Sequence, residues 1–224
     1  MAFEIQFPDP NEADDDGLAA VGGNLSSDYL LSAYSQGIFP WFNEGDPILW
    51  WSPNPRMILY PDKFKCSGSL KQIIKKKVFT VKVDTNFEKV IRECATVERP
   101  GQKGTWITKD MTEAYINLHD EGYAHSVETY LDDTLAGGLY GVSLGKTFFG
   151  ESMFHHVANA SKVALYYLTE LMQKWNFQFI DVQQSTDHMR RLGAVDVDRS
   201  EFLMLLKESV SIPARRGKWK MESL

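Results

Sequence analysis

The order of elements in this sequence predicts an α/β fold: a small N-terminal domain over residues 1–62 and a larger domain, 63–224, built on a mixed sheet. Three observations carry that expectation. After residue 62, apolar residues recur at helical spacing in some segments and alternate with polar ones in others. Three strand-like runs follow one another with only turn residues between them, whereas the later strand-like runs are separated by helical stretches. Before residue 62 the chain is rich in tryptophan and proline and shows neither period for long.

Residues 1–16 are polar and acidic and read as a loosely held arm. Leu25 to Tyr34 reads as a short helix with Ser26 or Ser27 as its N-cap and Gly37 as its terminator. The stretch from Gly37 to Pro55 is too irregular for a long element. In the larger domain a helix is expected over 69–76 and a strand over 78–83. Thr85-Asn86-Phe87-Glu88 fits a capping box for a helix running to about Ala95. A helix over 109–121, stopped by Gly122, precedes strands over 125–131, 134–142 and 146–154. A helix over 158–175, a buried strand over 177–183, a short helix over 187–192, a strand over 195–197 and a helix over 201–210 complete the order.

Hydrophobic residues at 43% of 224 supply a substantial core. No apolar run reaches the roughly 18 residues that span a bilayer, and the first residues lack a basic segment before an apolar one. Cys66 and Cys94 are far apart and form neither a disulfide framework nor a zinc pattern, so a reducing cytoplasm is the expected location. The net charge of −6 is unevenly spread. Residues 1–62 hold ten acids against Arg56 alone, and residues 63–82 hold seven lysines and no acid. Such a local basic segment on an acidic protein is either a contact for a polyanion or a solvated lysine face.

Two apolar strand segments each carry a carboxylate. Phe148-Phe149-Gly150-Glu151-Ser152-Met153-Phe154 holds Glu151, and Phe177-Gln178-Phe179-Ile180-Asp181-Val182-Gln183 holds Asp181, two residues before Gln183. A buried charge must pair, shift its pKa or do chemistry. Asp181 and Gln183 on an extended strand share a side, and Glu151 beside aromatics supplies an opposing wall: an apolar pocket with a few aimed polar groups. Other patterns fail. Leu144-Gly145-Lys146-Thr147 has Tyr140 where a phosphate-binding loop needs its first glycine. His155 and His156 lack a third ligand at a suitable spacing, and no serine sits in a Gly-x-Ser-x-Gly turn. Trp41, Trp50, Trp51 and Trp106 either fill a core between domains or offer stacking platforms.

Five blocks together resemble the bacterial leucyl/phenylalanyl-tRNA–protein transferases. They are Gly37-Ile38-Phe39-Pro40-Trp41-Phe42, Trp50-Trp51-Ser52-Pro53, Gly104-Thr105-Trp106-Ile107-Thr108, Gly150-Glu151-Ser152-Met153-Phe154 and Phe179-Ile180-Asp181-Val182-Gln183. The resemblance runs from about Gly17 to Val210, with valine at 182 where other members carry cysteine. It implies a C-terminal domain of the GNAT (acyl-CoA N-acyltransferase-like) type. It further implies transfer of leucine, phenylalanine or methionine from aminoacyl-tRNA to proteins with an N-terminal Arg or Lys, feeding N-end-rule degradation. No cofactor or metal is implied, nor a membrane partner, and a monomer is expected.

The same resemblance implies residue roles. Asp181 and Gln183 hold the amine, relay its proton and orient the ester, and Glu151 receives the charged N-terminal residue. Trp41, Trp106, Leu139, Phe148 and Ile180, with Tyr115 and Met153, bind the donor's apolar side chain and terminal adenosine. Lys71, Lys75, Lys76 and Lys77 contact the tRNA acceptor stem. Two other readings stay open: an acetyl-CoA-dependent acetyltransferase, against which Arg190-Arg191-Leu192-Gly193-Ala194-Val195 fails the pyrophosphate-binding turn at its last position, and a non-enzymatic tRNA-binding module, which leaves Glu151, Asp181 and Gln183 unexplained.

Overall fold

The computed structural model describes residues 5–97 and 105–221, so Met1 to Glu4 of the arm and Gly104 of the third block lie outside the described residues. In chain order the elements are β1 (Leu18–Val21), α1 (Ser27–Ser35), β2 (Phe39–Pro40), β3 (Leu49–Trp51), β4 (Arg56–Leu59), α2 (Gly68–Lys75), β5 (Thr80–Val83), α3 (Phe87–Thr96), α4 (Lys109–Asp120), β6 (Ala124–Leu131), β7 (Thr134–Leu144), β8 (Thr147–His155), α5 (Ala160–Lys174), β9 (Phe179–Gln183), α6 (Asp187–Arg191), β10 (Val195–Val197) and α7 (Arg199–Val210). From α2 onward this is the expected order, on a mixed α/β sheet.

Strands β1, β3 and β2 form a small antiparallel sheet of three, and the other seven run β10-β4-β9-β8-β7-β6-β5. Every neighbouring pair in the large sheet is antiparallel except β8 and β9. Parallel neighbours cannot be joined by a tight turn, and α5 supplies the crossover. The strand β4 joins the large sheet, so the two sheets divide the chain between Trp51 and Arg56. The irregular stretch before residue 62 thus holds four short strands, β1 to β4, that its composition hides. One apolar cluster packs α1, α3, α4 and α7 on one face of the large sheet, and a second packs α5 on the other.

Two expectations need correction. The arm is held where it is described: the Phe7 amide donates to Gln36 Oε1 (3.1 Å), and the Phe7 ring stands edge-on to Tyr29 and Trp50. Apolar anchoring by Phe7 outweighs the polarity of its neighbours. The capping box does not form either. Helix α3 has no side-chain cap of its own. Instead buried Glu128, reaching over from β6, accepts the amide of Thr85 (3.2 Å), the Thr85 hydroxyl (2.6 Å) and the Ser126 hydroxyl (2.6 Å), while Glu88 pairs with Arg92.

Candidate active site

The site is built where the sheet breaks its own rules. Pairing of β8 with β9 stops after Phe149 opposite Asp181, and beyond that the strands part. Each carries a bulge there. On β8, Ser152 faces Tyr140 and Gly150 faces Gly141, which leaves Glu151 as the extra residue. On β9, Gln183 faces Met57 and Asp181 faces Ile58, so Val182 is extra. Bulges re-aim side chains. Gly141 permits the first: a Cβ there would lie 2.1 Å from the Phe149 carbonyl oxygen. The second ends in Gln183 at φ +70°, a left-handed conformation uncommon outside glycine.

A cavity of about 460 Å³ occupies the gap. Leu139, Phe148, Leu165, Leu168, Ile180 and Met189 form its apolar wall, and Phe39, Pro40, Trp41, Trp106 and Met153 line other parts of it. Its polar groups include Glu151, Ser152, Gln183, Gln184 and Thr186. Glu151, 8% exposed, is caged by side chains. Its Oε1 accepts from Tyr34 (2.7 Å) and from Gln183 Nε2 (2.7 Å), and its Oε2 accepts from Tyr115 (3.0 Å). The two tyrosine hydroxyls also lie against each other, so the three oxygen–oxygen contacts among Tyr34, Tyr115 and Glu151 share two phenolic hydrogens, with a third only when Glu151 is itself protonated. Burial raises the Glu151 pKa to about 7 against the pull of those three donors. Burial first, then the neighbouring carboxylate, pushes both tyrosines well above their ordinary value, so both stay protonated donors.

Asp181, expected to share the pocket side of its strand with Gln183, does not line the cavity, because the bulge at Val182 puts the two residues out of step. It is fully buried and forked by Arg56, with Nε to Oδ1 at 2.8 Å and Nη2 to Oδ2 at 2.6 Å. The guanidinium lies between the rings of Phe39 and Phe202, and Nη1 donates to the Gly37 carbonyl (3.3 Å). Asp181 Oδ1 also accepts the backbone amide of Gln183 (2.9 Å). The buried ion pair therefore fixes the left-handed turn that presents Gln183.

Of the residues singled out from sequence, Trp41, Trp106, Leu139, Phe148, Glu151, Met153, Ile180 and Gln183 meet around one cavity. Tyr115 lies behind it as a donor to Glu151. Lys71 within α2, Lys75 at its end and Lys76 and Lys77 in the turn after it are exposed, outside the cavity lining. Sequence reasoning missed Arg56 and Tyr34. Arg56 carried a signal, as the lone base of the first 62 residues set against Met57-Ile58-Leu59. Tyr34 carried none, since a helix tyrosine among apolar neighbours reads as core.

Known proteins resemble this chain along nearly its whole length. Residues 58–207 match the model of the leucyl/phenylalanyl-tRNA protein transferase family, and residues 23–54 match that of its N-terminal domain. A leucyl/phenylalanyl-tRNA–protein transferase of Legionella pneumophila (strain Lens) is 54% identical over 223 residues, 99% of this chain and 100% of its own. One from Myxococcus xanthus (strain DK1622) is 53% identical, covering 95% and 91%. Among solved structures, an aminoglycoside acetyltransferase from an uncultured soil metagenomic sample, in complex with sisomicin, overlaps 51% of this chain and 84% of its own at a TM-score of 0.36 and 11% identity. With both matched segments in order and identity above half along nearly the whole chain, this protein belongs to the leucyl/phenylalanyl-tRNA–protein transferase family.

Proposed function

We propose that the cavity between β8 and β9 holds the donor amino acid, and that Gln183 and Glu151 align the acceptor's amine against the donor ester. The family activity is an aminoacyl transfer from tRNA to protein. Such a reaction starts from an activated ester, so alignment of amine and carbonyl supplies much of the rate without ATP or metal. The N–C bond forms as the ester C–O bond breaks. One proton leaves the amine, and the tRNA's terminal ribose oxygen gains one.

The observation that carries this reading is the fixed direction of the Gln183 amide. Its Nε2 is committed to Glu151, and among the described residues nothing donates to its Oε1. That oxygen, at the cavity, accepts a hydrogen from the attacking α-amine, whose pKa near 7.7–8.0 leaves a neutral fraction ready to react. Asp181 acts behind Gln183 as a positioning group through the Gln183 amide and Arg56. A carboxylate offers about four acceptor sites, and three donors leave one on Glu151 for a cation. An acceptor beginning with Arg or Lys supplies it. The apolar wall suits leucine, phenylalanine and methionine, which are unbranched at Cβ, and disfavours valine and isoleucine. Lys71, Lys75, Lys76 and Lys77 take the acceptor-stem phosphates. The GNAT-type fold, the 1–62 and 63–224 division, a monomer working in the cytoplasm and entry of products into N-end-rule degradation belong to the same proposal. The β8–α5–β9 crossover after the β6–β7–β8 meander supports its fold component.

The test is transfer of labelled leucine from charged tRNA to peptides beginning with Arg, Lys or Ala. A charge-assisted contact of about 1.5–3 kcal/mol predicts that Arg and Lys exceed Ala by roughly tenfold to a hundredfold in kcat/KM. Equal rates would remove Glu151 from acceptor recognition. Gln183→Ala is expected to lower single-turnover transfer by about a hundredfold or more, and an unchanged rate would remove Gln183 from the alignment.

A further inference from the structure

The chain continues past α7 into a segment without regular structure, and that segment returns to the sheet beside the cavity wall. Its anchor is Trp219, 2% exposed and outside the stretch matched by the family model. The Trp219 ring stacks on buried His125 at 3.6 Å and 5° between planes. Its amide donates to Asp84 Oδ2 (2.7 Å), the same oxygen that meets His125 Nδ1 (2.8 Å). Its indole N–H donates to the Arg215 carbonyl (3.1 Å). The segment is tied down again where the Gly217 amide reaches the Gly122 carbonyl (3.1 Å), where Arg216 lies over Tyr123, and where Arg215 lies over Trp175.

Besides His125, three rings surround the indole: Trp175 at 4.9 Å, Phe148 at 5.9 Å and Phe177 at 6.1 Å between centroids. Phe148 lines the cavity. Phe148 is fully buried and stands between the cavity and Trp219, with Leu139, Leu165 and Ile180 in the same apolar cluster. A ring in a close-packed core keeps its position only while its neighbours do. We propose that Trp219 is a specificity-positioning residue: held by Asp84 and His125, it backs Phe148 and so sets the width of the pocket for the donor's side chain. This rests on the reading that the cavity holds that side chain.

The experiment compares kcat/KM for phenylalanine and leucine donors on the same tRNA body and the same Arg-starting peptide. Four proteins are used: wild type, Phe148→Leu, Trp219→Leu and Trp219→Phe. Thermal unfolding of each is followed alongside. Removing the indole lets Phe148 retreat, so Trp219→Leu is expected to raise the phenylalanine-to-leucine ratio by about three- to tenfold, less than the roughly 10–200-fold of a methylene changed in the pocket itself, because the indole acts only through Phe148. Phe148→Leu moves the ratio the same way, and Trp219→Phe, which keeps a ring on His125, lies between. If Phe148→Leu shifts the ratio while both Trp219 variants lower the two donors equally, Trp219 is structural only and the inference is overturned. If Phe148→Leu leaves the ratio unchanged, the cavity does not take the side chain, and the pocket reading fails first. Should Trp219→Leu not fold, the ratio measured with Trp219→Phe decides alone: a shift supports the inference and no shift overturns it.

Discussion

Two regions of the large sheet bury carboxylates, and they do so differently. At the β5–β6 edge, Glu128 and Asp84 are spent on the fold. Glu128 collects amides and hydroxyls at the start of α3, and Asp84 accepts the amides of Ser126 and Trp219 besides His125. Neither lines the cavity. Between β8 and β9, Glu151 is held, among the described residues, only by side chains, and it lines the cavity. A buried acid therefore does not by itself mark an active site. What sets Glu151 apart is that its donors are all side chains and that it faces a cavity.

The largest expected effect breaks the comparison along its structural arm. Asp181→Ala leaves Arg56 buried and unpaired, which costs about 3–5 kcal/mol of stability. The double variant Arg56→Met/Asp181→Leu replaces the ion pair by apolar groups and is expected to recover most of that stability. It does not recover transfer, because the Gln183 amide has lost its acceptor. Glu128→Ala is the control: it lowers stability by a few kcal/mol through unsatisfied donors but leaves transfer per folded molecule intact. Denaturant titration with single-turnover transfer checks all three. Full activity in the double variant would detach Asp181 from the presentation of Gln183.

Next in size is the pH dependence from Glu151. Its folded pKa of about 7 lies above the ordinary 4.5, so between those values the folded state binds the extra proton. Stability then falls as pH rises through that window, and the loss approaches about 3 kcal/mol above pH 7. Glu151→Gln removes this component. The stability difference between wild type and variant is therefore expected to drift against wild type from pH 4.5 to 7 and to level off above. Transfer to Arg-starting peptides runs the other way, rising with pH as the carboxylate ionises. A difference in unfolding free energy that stays constant across the window would show that Glu151 titrates normally.

The contrast also explains what the sequence revealed. The element order from α2 onward was legible because each element keeps one period, as in α3, where Phe87, Val90, Ile91 and Cys94 are buried. The cavity wall on β8 and β9 was legible because their apolar residues carry misplaced polar neighbours, whereas Leu139 on β7 came only from the family resemblance. Strands β1 to β4 were not, since two to four residues do not show a period. Nor were the bulges at Glu151 and Val182, which arise from partner register and leave no local mark. For the same reason the Arg56–Asp181 pair, 125 positions apart, was invisible. The capping box failed because Glu128, 43 residues away, outbid Glu88 for the Thr85 amide.

The smallest effect sharpens the comparison from outside both regions. Lys75, Lys76 and Lys77 are exposed around the end of α2, form no ion pair among the described residues and take no part in the cavity. Their replacement by alanine is expected to leave stability within about 0.5 kcal/mol, as for surface changes generally. If they meet phosphates, each lost contact removes about 0.7–0.9 from the slope of log affinity against log salt, so the triple variant flattens the slope by about 2. Single turnover at saturating tRNA stays unchanged, because these side chains do not touch the reacting groups. Gln183→Ala shows the reverse pattern, with slow turnover and an intact salt slope. Unchanged tRNA affinity and slope in the triple variant would make this segment a solvated face, and the acceptor stem would then dock on other cations.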